Sequence, residues 1–252
     1  MDQAIINRLN EINKEFYQTF AGSFSRTRFC VQPGVIRILQ RIPKHGNWLD
    51  VGCGNGNLAL EWIRQGKTGI YYGMDASSAL IEHAQSRLSG ISLDGGLHIG
   101  FHVADVLTEN WSASLPQIGW DGVMMFAVLH HIPGFNQRLR LLKTIRDLLG
   151  PGYLLYMSVW QLQNSPRLMS RVLPWSKVNV EQTCLEDGDV LMDWRAKDLG
   201  EPEGEGLRYV HIFNEEDLAG LASASGFRVE ESTISDGHEG NLGLYQCWRA
   251  EN

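Results

Sequence analysis

Cysteine is scarce. The 252 residues hold four, Cys30, Cys53, Cys184 and Cys247, and no two form a CxxC pair. That spacing indicates neither a zinc site nor a disulfide framework, and a reducing compartment, the cytoplasm, is the expected setting. Long apolar runs are also missing, since nothing approaches the roughly 18 residues of a membrane span. The opening stretch, MDQAIINRLNEINKEF, is polar and amphipathic and lacks the apolar centre of a secretory signal. Internal repeats and low-complexity tracts are absent too. What is present is an ordinary globular composition, 43% hydrophobic and 20% charged, long enough for one large domain or two small ones.

The net charge of -7 speaks against general nucleic-acid binding, but it is spread unevenly. Residues 1–45 carry seven Lys/Arg against three Asp/Glu, and residues 136–177 carry seven against one. Residues 178–252 reverse this, with five against seventeen. Two basic segments that meet in space would form a phosphate-binding surface, whereas apart they are solvated helix faces.

The middle of the chain alternates strand and helix signals. NWLDV, GIYYGMD, LHIGFHVAD, WDGVMMFAVL and GYLLYMSVW read as strands. Helical patterns cover Leu58–Gln65, Ser77–Leu88 and Asn136–Leu149, the last with Leu139, Leu142, Ile145 and Leu149 on one face. The rhythm predicts a doubly wound, mostly parallel sheet with helices on both faces. Near the end, Asn214 reads as an N-cap with Asp217 in the capping-box place, and Gly226 as the stop. RVEESTIS and LGLYQCWR then predict an antiparallel pair at the sheet edge. Residues 161–206, rich in Pro, Gly, Asp and Trp, are too long for a plain connection and are expected to be a lid or substrate-recognition insert.

The first strand runs into LDVGCGNGN, with glycines at 52, 54 and 56. A strand, a glycine loop and a helix make a nucleotide-like binding site. The dinucleotide fingerprint needs a third glycine where Asn57 stands. Asp75 closes the second strand, 19 residues after Gly56, where a carboxylate meets ribose hydroxyls. Asp105 closes the third, where it and a backbone amide meet an adenine. Asp50, just before the glycines, either holds the loop or receives an ammonium group. Three acids at successive strand ends repel a pyrophosphate and suit a cationic ligand without phosphate. They point to S-adenosylmethionine (SAM) rather than NAD.

LDVGCGNG, GMDAS, VADV and FAVLHHI resemble the successive motifs of class I SAM-dependent methyltransferases. The resemblance implies a seven-stranded sheet with an antiparallel last strand. It implies that Gly52 and Gly54 approach the methionyl part, Asp75 the ribose and Asp105 the adenine, with Gly56, Ala76 and Val106 also binding the cofactor. Phe126, Ala127 and His131 would line the cofactor and the mouth of the active site. The expected organisation is an N-terminal helical segment over 1–45 and a SAM-binding domain over 46–252 with the insert at 161–206.

The flanks resemble the eukaryotic-type tRNA wobble-uridine methyltransferases, which esterify a carboxymethyl group. Tyr17, Phe24, Thr27 and Arg28 match that family's N-terminal segment, Trp160 its Trp after the fifth strand, and Val190 to Trp194 its V-x-x-W element. Arg208, Tyr209 and His211 match its Arg-Tyr-x-His segment. The resemblance implies Arg28 or Arg208 as a carboxylate clamp, with Arg28 equally suited to the SAM carboxylate. Trp160 and Tyr209 would stack on a flipped pyrimidine. His131 and His211, with His130, are candidate bases, although a carboxylate acceptor needs none. Asp193 departs from the family pattern and sets an acid beside the expected acceptor pocket. A small activating protein subunit is a further expectation. The competing readings are methylation of a small metabolite and a non-catalytic SAM-binding protein.

Overall fold

The computed structural model describes residues 1–22, 30–93, 96–194 and 206–252. The amphipathic start forms helix α1 (Gln3–Thr19), capped by the Asp2 side chain, and α2 (Pro33–Arg41) follows with proline in its first turn. Then come β1 (His45–Val51), α3 (Asn57–Arg64), β2 (Thr68–Asp75), α4 (Ser78–Leu88), β3 (Leu97–Val103) and β4 (Gly122–Phe126). Helix α5 (Phe135–Leu149) leads to β5 (Leu154–Trp160). Beyond it lie β6 (Val172–Leu173), β7 (Asp189–Trp194), β8 (Gly206–His211), α6 (Glu215–Ala224), β9 (Phe227–Ser235) and β10 (Gly243–Ala250).

Seven strands form one sheet in the order β3-β2-β1-β4-β5-β10-β9. Strands β1 to β5 pair in parallel, and β10 is antiparallel to both neighbours. This is the predicted class I arrangement. Strand β4 is buried along almost its whole length, as its unbroken apolar run requires at the sheet centre. Neighbouring residues feed opposite cores. Leu49 and Met125 pack with Leu142, Ile145 and Trp248 on one face, and Trp48 and Met124 with Trp62, Tyr71 and Tyr156 on the other. The capping box of α6 forms as predicted, with Asn214 and Asp217 exchanging backbone bonds.

Two details depart from the pattern. Leu139 is only half-buried, and Arg138 takes a place on the inner face of α5. Its guanidinium donates to the Ile132 carbonyl and pairs with Glu186, so a charge sits where periodicity favours an apolar residue. Residues 161–206 are not simply irregular. They contribute β6 and β7, which join β8 in a second, antiparallel sheet in the order β6-β7-β8. Helix α1 packs on that sheet, and Leu9 and Ile12 share a small core with Trp175, Leu191 and Tyr209. The N-terminal helix and the insert thus form one cover, placed beside the carboxyl ends of the parallel strands by β5, Trp160 and β8. No helix among the described residues is long and apolar enough to cross a membrane.

Candidate active site

The strand order reverses between β1 and β4, and the crevice outside such a switch point is where α/β sheets bind ligands. A cavity of about 1210 Å³ opens there. Its inner end is the glycine loop. The Gly52 and Cys53 amides both donate to the Met74 carbonyl, at 2.8 and 2.9 Å, which curls the loop over the end of β2. Asp75 Oδ2 then accepts from the Gly54 amide at 3.0 Å, and Oδ1 from the Ser77 amide at 2.9 Å. A Cβ on Gly54 would meet nothing within 4 Å, so its backbone faces open space. Asp105 Oδ1 accepts from the Leu107 amide at 2.9 Å.

Asp50 is almost fully buried at the end of β1 and accepts from the Tyr71 hydroxyl. Burial pushes its carboxyl up to about 7 against that hydrogen bond, with Asp75 adding to the rise. Burial also raises Asp75, opposed by the amides it accepts from. Among the described residues no Lys or Arg is paired with any of these three acids. Three acidic side chains with no paired cation among the described residues, beside an open glycine backbone, fit a ligand that brings positive charge and hydroxyl donors. They do not fit a pyrophosphate. Ala127 closes β4 with φ of 58°, a left-handed conformation uncommon for a residue with a side chain, and its amide donates to Ser158.

The outer end is built by the cover. Tyr17, Trp160, Arg171, Trp194 and Arg208 line it, with Lys14 from α1. The Arg208 guanidinium lies 4.8, 5.1 and 5.0 Å from the rings of Phe16, Trp160 and Trp194. Trp160 packs against His130 and His131 at 4.5 and 5.1 Å.

Residues 24–232 match the family model described as a methyltransferase domain. The chain belongs to the methyltransferase domain family. Its methyl donor is S-adenosylmethionine, the cationic, phosphate-free nucleoside that the cradle fits. This methyltransferase is 26% identical over 241 residues to a tRNA (carboxymethyluridine(34)-5-O)-methyltransferase of Schizosaccharomyces pombe, covering 88% of this chain and 91% of that one. It is 28% identical over 177 residues to the Arabidopsis thaliana protein so named, covering 68% and 39%, and 24% identical over 206 residues to a probable tRNA methyltransferase 9B of Bos taurus, covering 81% and 41%. The methyltransferase thus spans about two fifths of the length of the last two. Among solved structures, a SAM-dependent methyltransferase of Methanosarcina mazei shares the fold with a TM-score of 0.64 at 23% identity, covering 88% of this chain and 99% of that one.

Of the residues expected at the site, Asp50, Gly52, Gly54, Asp75, Ala76, Asp105, Val106, Phe126, Ala127, His131, Trp160 and Arg208 all line the one cavity. Arg28, like Phe24, Thr27 and Arg195, lies outside the described residues. Three of the expected residues are placed away from the cavity wall. Gly56 does not line the cavity: it starts α3 with φ of 76°, and a Cβ there would meet the Ala84 Cβ at 2.9 Å, so its role is close packing against α4. Tyr209 is fully buried in the cover's core and donates to Asp189 Oδ1 at 2.7 Å. His211 Nδ1 meets the same oxygen at 2.7 Å, and neither residue reaches the cavity. On a strand alternate side chains face opposite ways, and β8 turns Arg208 to the cavity and Tyr209 and His211 away. The same rule on β7 sends Met192 and Trp194 to the cavity and leaves Asp193 off its lining. His130 is fully buried, and its Nδ1 accepts the Trp160 amide at 3.4 Å. Arg171 is the residue the sequence reading missed, its only signal being membership of the basic stretch 136–177.

Proposed function

We propose that this methyltransferase esterifies an anionic group carried on a nucleotide, the carboxymethyl group of a tRNA wobble uridine. The observation that carries this reading is the outer end of the cavity, where Arg208 lies 5.1 and 5.0 Å from the rings of Trp160 and Trp194 and Arg171 lines the same cavity. Guanidinium groups take carboxylate or phosphate oxygens in bidentate pairs, and the tryptophans offer faces to an unstacked base. Asp193 is not on the cavity lining, and the acids that line this part of it have partners of their own. Asp236 accepts from the Gly34 amide and the Tyr245 hydroxyl, and Glu11 lies 3.7 Å from Arg8. The names of the relatives support the same acceptor.

In this reading Asp75 takes the ribose hydroxyls with the lone pairs its backbone bonds leave over. Asp105 and the Val106 amide meet the adenine, Gly52 and Gly54 let the methionyl part approach, and Asp50 faces the ammonium group. Ala76, Phe126, Ala127 and His131 wall the donor, and Arg28 is assigned to a carboxylate of donor or acceptor. When bound, the donor supplies a sulfonium methyl for direct displacement. The protein's share is then to hold an already ionised acceptor in line and away from water, so proximity and desolvation do the work without a base. Lys14 and Arg171 bring the two basic segments to one cavity, which suits tRNA phosphates at its rim.

The test is transfer of labelled methyl from SAM to bulk tRNA, followed by nucleoside mass spectrometry, with and without a candidate small activating subunit. A methyl ester on carboxymethyluridine is expected. If SAM binds but no tRNA nucleoside gains a methyl in either condition, the acceptor is a small anionic metabolite or there is no transfer.

A further inference from the structure

Helix α1 has an apolar side and a polar side. Leu9, Ile12 and Phe16 are buried against the cover. Gln3, Asn7, Asn10 and Lys14 follow one another at three- and four-residue spacing and form a stripe that lines the cavity. Asn7 Oδ1 accepts from the Gln3 side chain at 2.8 Å, but Asn10 Oδ1 is buried and has no hydrogen-bond partner. Asparagine is also a poor helix former. An orphaned carbonyl in the middle of a helix is thus unfavourable twice over, and a ligand in the cavity can relieve it.

The surroundings of Asn10 place it. Ile6, one turn earlier, lies against Gly134, the residue that caps α5, where a Cβ would stand 3.2 Å from Ile6 Cδ1. On α5, Arg140 donates to the Gln137 side chain at 2.6 Å and to the Leu107 carbonyl at 2.7 Å. The first half of α1, the first turn of α5 and the segment after β3 therefore stand side by side, and Leu107, Thr108 and Gln137 line the cavity with Asn10. That segment begins at Asp105, whose Oδ1 accepts the Leu107 amide. The arginine and tryptophan end lies the other way, since Tyr17 is two turns further along α1, about 10 Å at the helical rise.

We propose that Asn10 binds the adenine of SAM on the edge that Asp105 leaves over, as a second specificity-determining residue for the donor. The inference rests on the assignment of Asp105 and the Val106 amide to the adenine and deepens it. Those two take the amino group and ring nitrogen N1. The amino group has two hydrogens, and the second points along the edge that carries N7. That edge presents one donor and one acceptor, the pattern an asparagine amide matches with its own two ends. The Asn10 carbonyl accepts the second amino hydrogen, and its amide nitrogen donates to N7. A half-turn about the last side-chain bond, whose torsion is broad and two-fold in asparagine, aims the carbonyl at the base. A purine with a keto group in place of the amino group brings no donor and leaves that carbonyl orphaned, which is how a polar site rejects an analogue that lacks one group.

The experiment is calorimetric titration with S-adenosylhomocysteine, the demethylated donor, and with its 7-deaza analogue, in which carbon replaces N7. Wild type and Asn10→Leu are compared, and both are melted without ligand. Asn10→Leu is expected to melt no lower than the wild type, because it removes an orphaned carbonyl, and to bind S-adenosylhomocysteine about fivefold to tenfold more weakly. The wild type should lose a similar factor on the 7-deaza analogue, and the variant less than about twofold further. Asn10→Ala, which adds no bulk to the wall, is expected to show the same pattern. A 7-deaza penalty that is equal in wild type and variants, or absent from all of them, overturns the proposal. Unchanged affinity for S-adenosylhomocysteine in the variants also overturns it. These results leave the Asp105 assignment standing. Asp105→Ala with undiminished affinity removes that assignment, and this inference with it.

Discussion

Asp75 accepts the Gly54 amide on one carboxylate oxygen and the Ser77 amide on the other. The residue proposed to meet the ribose therefore also sets the shape of the glycine loop. Asp75→Ala is expected to weaken SAM binding at least about tenfold by titration calorimetry, because a hydrogen bond to a charged group is worth about 1.5–3 kcal/mol. Unchanged affinity would refute the assignment. Asp50 makes a pH-dependent prediction. An unfolded aspartate titrates near 3.9, and burial carries Asp50 to about 7. Between these values the ligand-free fold holds a proton that the unfolded chain has released, so this group makes stability fall as pH rises through the window. Asp50→Asn should flatten that fall in thermal melts. An ammonium group beside Asp50 favours the carboxylate, so SAM binding at slightly acid pH should release a proton. Binding heats measured in buffers of different ionisation enthalpy would show it, and equal heats would move the ammonium elsewhere. These acids were legible in the sequence because each follows a short apolar strand. The placement of Tyr209 and His211 against Asp189 was not legible, because a motif gives residue identity but not the side of the strand.

At the scale of elements, the loop between β1 and α3 uses its glycines for different ends. Gly54 and Gly56 both have positive φ, 54° and 76°, which costs a side chain about 1–2 kcal/mol. Gly54 adds open space, and Gly56 adds Ala84 at 2.9 Å. Gly54→Ala should therefore fold with a modest loss of stability yet lose SAM affinity more than about tenfold, its methyl standing in the cavity. Gly56→Ala should instead cost about 2–4 kcal/mol in denaturant unfolding. The opposite ranking of the two variants would contradict this division. The glycine spacing marked the loop, but which glycine faces a ligand depends on where α4 packs. The central strands were legible almost to their ends because each is a short apolar run bounded by turn residues. Strand β4 stops at Phe126, earlier than its apolar run, because Ala127 turns into the left-handed region.

On the scale of the whole molecule, the cover joins α1 to a sheet made from residues more than 150 positions later, and Arg171 reaches the cavity only through that joining. Arg171→Met is expected to raise the acceptor KM about tenfold and to leave SAM affinity and melting temperature unchanged, since the side chain is half-buried at the cavity wall. A fall in SAM affinity instead would place it at the donor. The sequence by itself determined the fold class, the methyl donor and the methyltransferase family. Those properties are written in local patterns: alternation along strands, glycines in one loop, an acid after each strand. Only the tertiary structure decided what lines the outer end of the cavity. It turned Arg208 inward and Tyr209, His211 and Asp193 away, brought Arg171 to the wall, and set Tyr17 against His131. Such choices depend on strand facing and on contacts between distant segments, and these follow from packing the chain around the cores on the two faces of the main sheet and the smaller core of the cover.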